Sequence, residues 1–337
     1  MTERIHTASY PELRMRRLRS RPFLRDMLRA PDVVARKLIW PVFLKEGKSL
    51  REEISSLPGQ YYYSPDELVA ALEPVTASGV RSILLFPDLP DHLKDADGSA
   101  ILMDDSLMIK AIKQVKAKFP NIVVFADLDL SEYTTHGHSG VINDSGFVRN
   151  DHSLRILAEA AACFCRAGAD GVAPSGMLDG QVFEIRKALD AESLKNSLIL
   201  SYSTKFASRF YDCFRQAVHN TPQYGSRADC QIPMGDTHQS IRESVLDECE
   251  SADILMVKPT MAYLDIIREI RMATKSPLAA FNVSGEYAMT WHAEALGIGS
   301  RYALAHEILN SIFRAGADLA ITYWANQISE ITKFNED

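Results

Sequence analysis

Ile254-Leu-Met-Val-Lys-Pro-Thr-Met-Ala-Tyr-Leu-Asp265 carries four consecutive apolar residues straight into a lysine and a proline. A short, unbroken apolar run with polar punctuation at its end is the pattern of a strand buried on both faces, as in a parallel sheet. Seven further runs of the same kind lie on either side of it: Ile39 to Leu44, Ile83 to Phe86, Ile122 to Ala126, Gly171 to Ala173, Leu198 to Tyr202, Leu278 to Val283 and Leu319 to Tyr323. Helical patterns fill the intervals. One is announced by Ser64-Pro-Asp-Glu67, with a serine cap, a proline in the first turn and a glutamate at the third position. Strand and helix alternate through about 300 residues, which predicts an α/β chain and a (β/α)8 (TIM) barrel. An open, doubly wound sheet gives the same local pattern.

In a barrel the reactive groups collect at the carboxyl ends of the strands. The polar residues at those ends are Asp127 after the third run, Ser175 after the fourth, Lys205 after the fifth, Lys258 after the sixth, Ser284 after the seventh and Tyr323 closing the eighth. Lys205 lies in Leu198-Ile-Leu-Ser-Tyr-Ser-Thr-Lys-Phe-Ala-Ser-Arg-Phe-Tyr-Asp-Cys-Phe-Arg215. An amine reacts with a carbonyl only when neutral, and burial or a neighbouring cation lowers its pKa toward that state. Two lysines in one pocket supply both influences.

About fifty residues separate the fifth run from the sixth, far more than an ordinary connection. This excess is read as an active-site lid spanning about residues 203–235. It carries Tyr211, Arg215, Arg227 and Gln231, donors suited to a carboxylate once the loop closes.

The 337 residues are 46% hydrophobic and 24% charged, with a net charge of −7. That balance lacks the basic block expected of a nucleic-acid or anionic-membrane partner and points to a small substrate. Neither a bilayer-length apolar stretch nor the apolar core of a secretory signal is present, so a cytoplasmic location is expected. The five cysteines, Cys163, Cys165, Cys213, Cys230 and Cys249, have no framework spacing and are expected to stay reduced.

The two lysine segments closely resemble the Schiff-base motifs of the porphobilinogen synthase (5-aminolevulinate dehydratase) family. The likeness runs from Arg16-Arg-Leu-Arg19 through Ala167-Gly-Ala-Asp-Gly-Val-Ala-Pro-Ser175 and Val283-Ser-Gly-Glu-Tyr-Ala-Met289 to Thr322-Tyr323. It implies the barrel fold and the condensation of two 5-aminolevulinate molecules to porphobilinogen, a step of tetrapyrrole (heme) synthesis, with no organic cofactor. It implies that Lys258 forms the imine with the propionate-side substrate and Lys205 with the acetate-side one. Asp127 and Ser175 would then handle protons or the amino group, with Tyr202 close by. It assigns one substrate carboxylate to Arg215, Arg227 and Gln231 with Tyr211 nearby, and the other to Ser284 and Tyr323. Phe281 stands where a pocket tyrosine is common. Residues 1–30 correspond to an arm that wraps a neighbouring subunit, residues 31–337 to the catalytic barrel, and the assembly implied is a homo-octamer of dimers. Met15 to Arg29 mixes basic and apolar residues without enough of either to fold alone, which suits an arm.

The chain also departs from that family. Zinc-dependent members place three cysteines in the segment Asp127-Leu-Asp-Leu-Ser-Glu-Tyr-Thr-Thr-His-Gly-His-Ser-Gly140, where this chain has Asp129, Ser131 and Ser139. Hydroxyls replace thiolates poorly as zinc ligands, so no catalytic zinc is expected; His136 and His138, flanking a glycine, are read as structural. A magnesium-binding glutamate is replaced by Gln239, which makes magnesium stimulation doubtful, although Asp236 or Glu243 would be available in a shifted geometry. Gly176 replaces an aspartate and Gln181 an arginine. Two other readings compete. A lysine-dependent aldolase needs one such lysine and gives no reason for the second or for the arginine-bearing lid. A non-catalytic scaffold has no physical need for any polar residue in the mouth.

Overall fold

The computed structural model describes residues 11–28, 32–223 and 225–336. Ten strands follow one another: β1 (Leu38–Lys45), β2 (Arg51–Glu53), β3 (Tyr61–Tyr63), β4 (Ser82–Asp88), β5 (Val123–Leu128), β6 (Gly171–Pro174), β7 (Leu198–Lys205), β8 (Ile254–Lys258), β9 (Leu278–Asn282) and β10 (Leu319–Thr322). From β4 to β10 each strand pairs in parallel with the next, and β1 pairs with β4. The ring closes where Leu38 and Ile39 of β1 meet Ala320 and Ile321 of β10. The eight expected strands therefore form a closed barrel, and the open sheet is excluded.

Closure explains the composition of the strands. With side chains packed inside the ring and helices outside it, β4, β6, β8 and β9 are buried almost from end to end. Each Leu, Ile or Val sealed there contributes about 1.5–3 kcal/mol relative to exposure. Helices such as Leu107–Lys118, Asn150–Arg166, Gln181–Ala191 and Thr237–Cys249 cover the outside with their apolar faces. The helix Pro65–Ala77 starts after Ser64 as the sequence predicts, but the serine makes no side-chain cap: its hydroxyl donates to Asp66 Oδ1 at 2.6 Å.

Three features were not legible in the runs. β2 and β3 form an antiparallel hairpin beside β1; Arg51-Glu-Glu53 is polar and exposed, so it has no apolar signature. β7 continues to Lys205, so the long crossover starts at Phe206 rather than at residue 203. Ahead of the barrel, Met15–Arg19 and Pro22–Leu28 are helical yet lie open, with Phe23 86% and Met27 79% exposed.

Between β7 and the helix Thr237–Cys249, the Ser201 hydroxyl donates to the buried Asp247 carboxyl at 2.5 Å. Burial pushes that carboxyl up from 3.8 to about 7. The unfolded chain thus ionises this group at a lower pH than the folded one does, so its contribution is full below about 3.8 and is lost as pH rises to about 7. Asp247→Asn keeps an acceptor and removes the buried charge. It is expected to raise stability at pH 8 by about 2 kcal/mol, a gain that shrinks toward pH 4 in urea denaturation.

Candidate active site

Lys205 and Lys258 are the last residues of adjacent strands and stand level in the β7–β8 register. Both side chains turn into the mouth, where they are only 6% and 5% exposed. Their nitrogens share one ring, Tyr202, at 5.4 and 5.0 Å from its centroid. Lys258 Nζ sits in an aromatic box completed by Phe281 at 4.3 Å, Phe214 at 5.1 Å and Tyr211 at 5.2 Å. Lys205 Nζ instead donates to the Ser175 carbonyl.

These surroundings decide the charges. Desolvation in the aromatic box, then the neighbouring Lys205 charge, holds Lys258 well below the ordinary lysine value. Lys205 is lowered as well, chiefly by burial and also by Arg227, while Asp129, Asp127 and Glu132 pull the other way. Both amines are thereby pushed toward the neutral form.

Asp127 lies inside β5 and faces both lysines. Its carboxyl is raised well above the ordinary range by burial, then by Glu132 and Asp129, against the pull of the lysines. The Ser175 hydroxyl stands between two carboxylates, 3.2 Å from Asp127 Oδ2 and 3.3 Å from Asp129 Oδ2. The Tyr323 hydroxyl is buried without a hydrogen-bond partner among the described residues, while the Tyr202 hydroxyl and the Asp127 carboxyl interact with each other. Tyr323, directly after β10, stacks on Phe43 at 6.0 Å and leans on Phe281.

The segment after β7 folds down over this mouth. Phe206 N–H and the Tyr211 hydroxyl both donate to the Lys258 carbonyl, each at 3.0 Å, and Ile232 N–H donates to the Lys205 carbonyl at 3.0 Å. Ser284 opens the helix Ser284–Ala295 and clips the segment down, donating to Phe210 O at 3.2 Å and accepting from Phe214 N–H at 3.0 Å. Arg215 pairs with Asp212 at 3.2 Å, its Nε is buried without a partner, and burial and Arg227 lower its pKa. Arg227 is buried and already engaged, donating to Gly137 O at 2.8 Å and to Asn220 O. Gln231 is buried one residue before the Ile232 contact. Lys205, Lys258, Asp127, Ser175, Tyr202, Tyr211, Phe281 and Tyr323 thus share one mouth, while Ser284 and Arg227 are occupied by protein contacts at its rim.

Two contributors had no signal in the strand ends. Glu132 is buried, accepts from Asn220 Nδ2 at 2.8 Å and from Ser131 Oγ at 3.0 Å, and is raised to about 7 by burial and then Asp129. Its position within Ser-Glu-Tyr, five residues after Asp127, was the available hint. Glu286 accepts from Thr260 N–H at 2.9 Å, Thr260 Oγ1 at 2.8 Å and Val283 N–H at 2.9 Å, and so ties the turn after Lys258 to the following helix.

The zinc-type positions do not fit zinc. Asp129 accepts from Ser139 Oγ and Ser131 N–H, both at 3.0 Å, and no thiol stands among these donors. His136 Nδ1 accepts from His138 N–H while Nε2 lies 3.1 Å from Ala96 O, a structural use of the ring. Among the described residues no group of three or more His, Cys, Asp or Glu is placed to hold a metal ion. Gln239 lies on the helix Thr237–Cys249, its N–H capped by Asp236 Oδ1 at 2.9 Å, and Gln181 bonds Leu178 N–H and Pro174 O near β6.

A closed β/α barrel with two buried, level amines at the carboxyl ends of its strands has the architecture of a barrel enzyme with its site at that end. A family model described as delta-aminolevulinic acid dehydratase matches residues 12–331. A delta-aminolevulinic acid dehydratase of Archaeoglobus fulgidus is 44% identical over 324 residues, covering 96% of this chain and 99% of its own. One from Halalkalibacterium halodurans is 42% identical over 316 residues, covering 94% and 95%. The crystal structure of the Toxoplasma gondii enzyme in complex with its reaction product porphobilinogen superposes with a TM-score of 0.92 at 36% identity, covering 96% of this chain and 91% of that one. The chain belongs to the delta-aminolevulinic acid dehydratase family.

Proposed function

We propose that this chain condenses two molecules of 5-aminolevulinate to porphobilinogen, with loss of water, through imines on Lys258 and Lys205. The observation that carries this is the pair of buried amines over one Tyr202 ring, both lowered toward the neutral form. A neutral amine adds to the substrate ketone and expels water. The resulting iminium draws electrons from the adjacent carbon, which makes carbon–carbon bond formation accessible near neutral pH.

Lys258 takes the propionate-side substrate and Lys205 the acetate-side one. Asp127, its carboxyl pushed up by burial, and Ser175 pass the protons. Buried polar atoms normally find partners, so the Tyr323 hydroxyl, which has none among the described residues, favours a polar substrate in the mouth. Tyr323 with Ser284 receives one carboxylate. Arg215, Arg227 and Gln231, on the segment of about residues 206–235 acting as a lid, receive the other beside Tyr211. Phe281 walls the pocket under Lys258.

No organic cofactor takes part, and zinc has no role at Asp129, Ser131 and Ser139. Magnesium has no carboxylate at Gln239. The exposed apolar side chains of Met15, Leu18 and Phe23 suit residues 1–30, of which 1–10 and 29–30 lie outside the described residues, to an arm on a neighbouring copy, with residues 31–337 as the catalytic barrel of a homo-octamer. The five cysteines are free thiols, which suits a cytoplasmic enzyme. No helix among the described residues is long and apolar enough to cross a membrane.

The test is porphobilinogen formation by the purified protein with a strong chelator, and again with added zinc or magnesium. Turnover is expected to persist within about twofold under chelation, since no step needs a Lewis acid. Turnover only with added metal would overturn the metal-free site, and no turnover in any condition would overturn the activity.

A further inference from the structure

β7 and β8 do not keep one register. Ser201 is level with Leu255, yet Thr204 is level with Val257, so Tyr202 and Ser203 together oppose Met256. Two residues against one is a β-bulge, and a bulge changes which way every later side chain points. Strand side chains alternate, so with Ser201 facing outward Lys205 would face outward too. The structure shows the reversal. Ser201 reaches Asp247 on the helix Thr237–Cys249, and Thr204 reaches the same helix, donating to Ser240 O at 2.8 Å, while Tyr202 and Lys205 both lie inside the mouth.

A bulge leaves ladder groups without backbone partners, and here a side chain replaces them. The Ser203 hydroxyl donates to Met256 O at 3.3 Å and accepts from Met256 N–H at 3.2 Å. Ser244 Oγ stands 2.8 Å from Thr204 Oγ1 and 3.3 Å from Ser203 Oγ, with one proton to donate to either. All three hydroxyl residues are buried. We propose that Ser203, Thr204 and Ser244 form a positioning cluster that locks the bulge and thereby aims Lys205, and not Lys258, into the active site. The proposal rests on the two-imine reading above. Lys258 leans on the cluster less, because β8, although Ser203 holds its Met256, keeps an unbroken register on its other side, where Leu255, Met256 and Val257 pair in sequence with Leu278, Ala279 and Ala280.

The experiment traps imines with borohydride in the presence of 5-aminolevulinate and measures the adduct at each lysine by peptide mass. Amine and ketone join with loss of water, and hydride plus a solvent proton reduce the C=N bond to a stable secondary amine. The native protein should be labelled at both lysines. In Ser203→Ala the Lys205 adduct and kcat should fall about tenfold or more while the Lys258 adduct stays within about twofold, since small misplacements of a reacting group cost this much. Ser203→Thr, which keeps the hydroxyl, should restore the ratio. Ser244→Ala, on the outer helix, should shift it the same way by about threefold, one hydrogen bond being lost. Equal loss at both lysines, or an unchanged ratio in both alanine variants, overturns the positioning role and leaves the two-imine reading standing. Labelling of the native protein at Lys258 alone overturns that reading and this inference with it.

Discussion

Lys258→Met is expected to abolish porphobilinogen formation, by about 10⁴-fold or more, while making the protein more stable. Removing a group that bonds covalently to substrate leaves only binding and general electrostatics, which sets the scale of the loss. The stability gain follows from the site. The amine is buried among Phe281, Phe214, Tyr211 and Tyr202, and desolvation is the largest cause of its lowered pKa. An unbranched thioether fills similar length and prefers that box, so about 1–2 kcal/mol of added stability is expected in thermal or urea unfolding. Loss of activity with loss of stability would show instead that the box is built to hold an ammonium.

In Lys205→Met, turnover is expected to fall by about 10³-fold or more, yet one imine should survive at Lys258 and be trapped by borohydride. The pH dependence of that imine should also change. Lys205 is the second-largest cause of the lowering at Lys258, after burial. Taking its positive charge away removes a repulsion against the protonated form, so the Lys258 pKa rises and imine formation moves to higher pH. A pH profile of the trapped Lys258 adduct, native against variant, reads the shift directly. A profile that stays put or moves to lower pH would mean that the two amines do not sense each other.

The strands were legible because a closed parallel barrel buries both faces of each strand, which leaves continuous apolar runs such as Ile83 to Phe86. The buried polar positions in the mouth were legible because polar residues return where those runs stop, as at Ser175, Lys205 and Lys258. The hairpin of β2 and β3 was not, since Arg51-Glu-Glu53 is held by pairing with Tyr61–Tyr63 and not by any pattern of its own. Glu132 was hidden for a similar reason: a carboxylate in a loop reads as solvated until Asn220, nearly ninety residues later, is seen to donate to it at 2.8 Å.

By itself the sequence determined the order of strands and helices, the two amines, the absence of thiols at Asp129, Ser131 and Ser139, and the family resemblance, since all of these are properties of residue identity and local spacing. Tertiary structure decided what those residues become. Only ring closure puts Asp127 of β5 opposite Lys205 and Lys258, and only there do burial and neighbouring charge push the carboxyl up and the amines down. Only the slip of one residue between β7 and β8 turns Lys205 inward. Both are long-range effects, set by which chain segments are brought together, and a local pattern has no means of recording them.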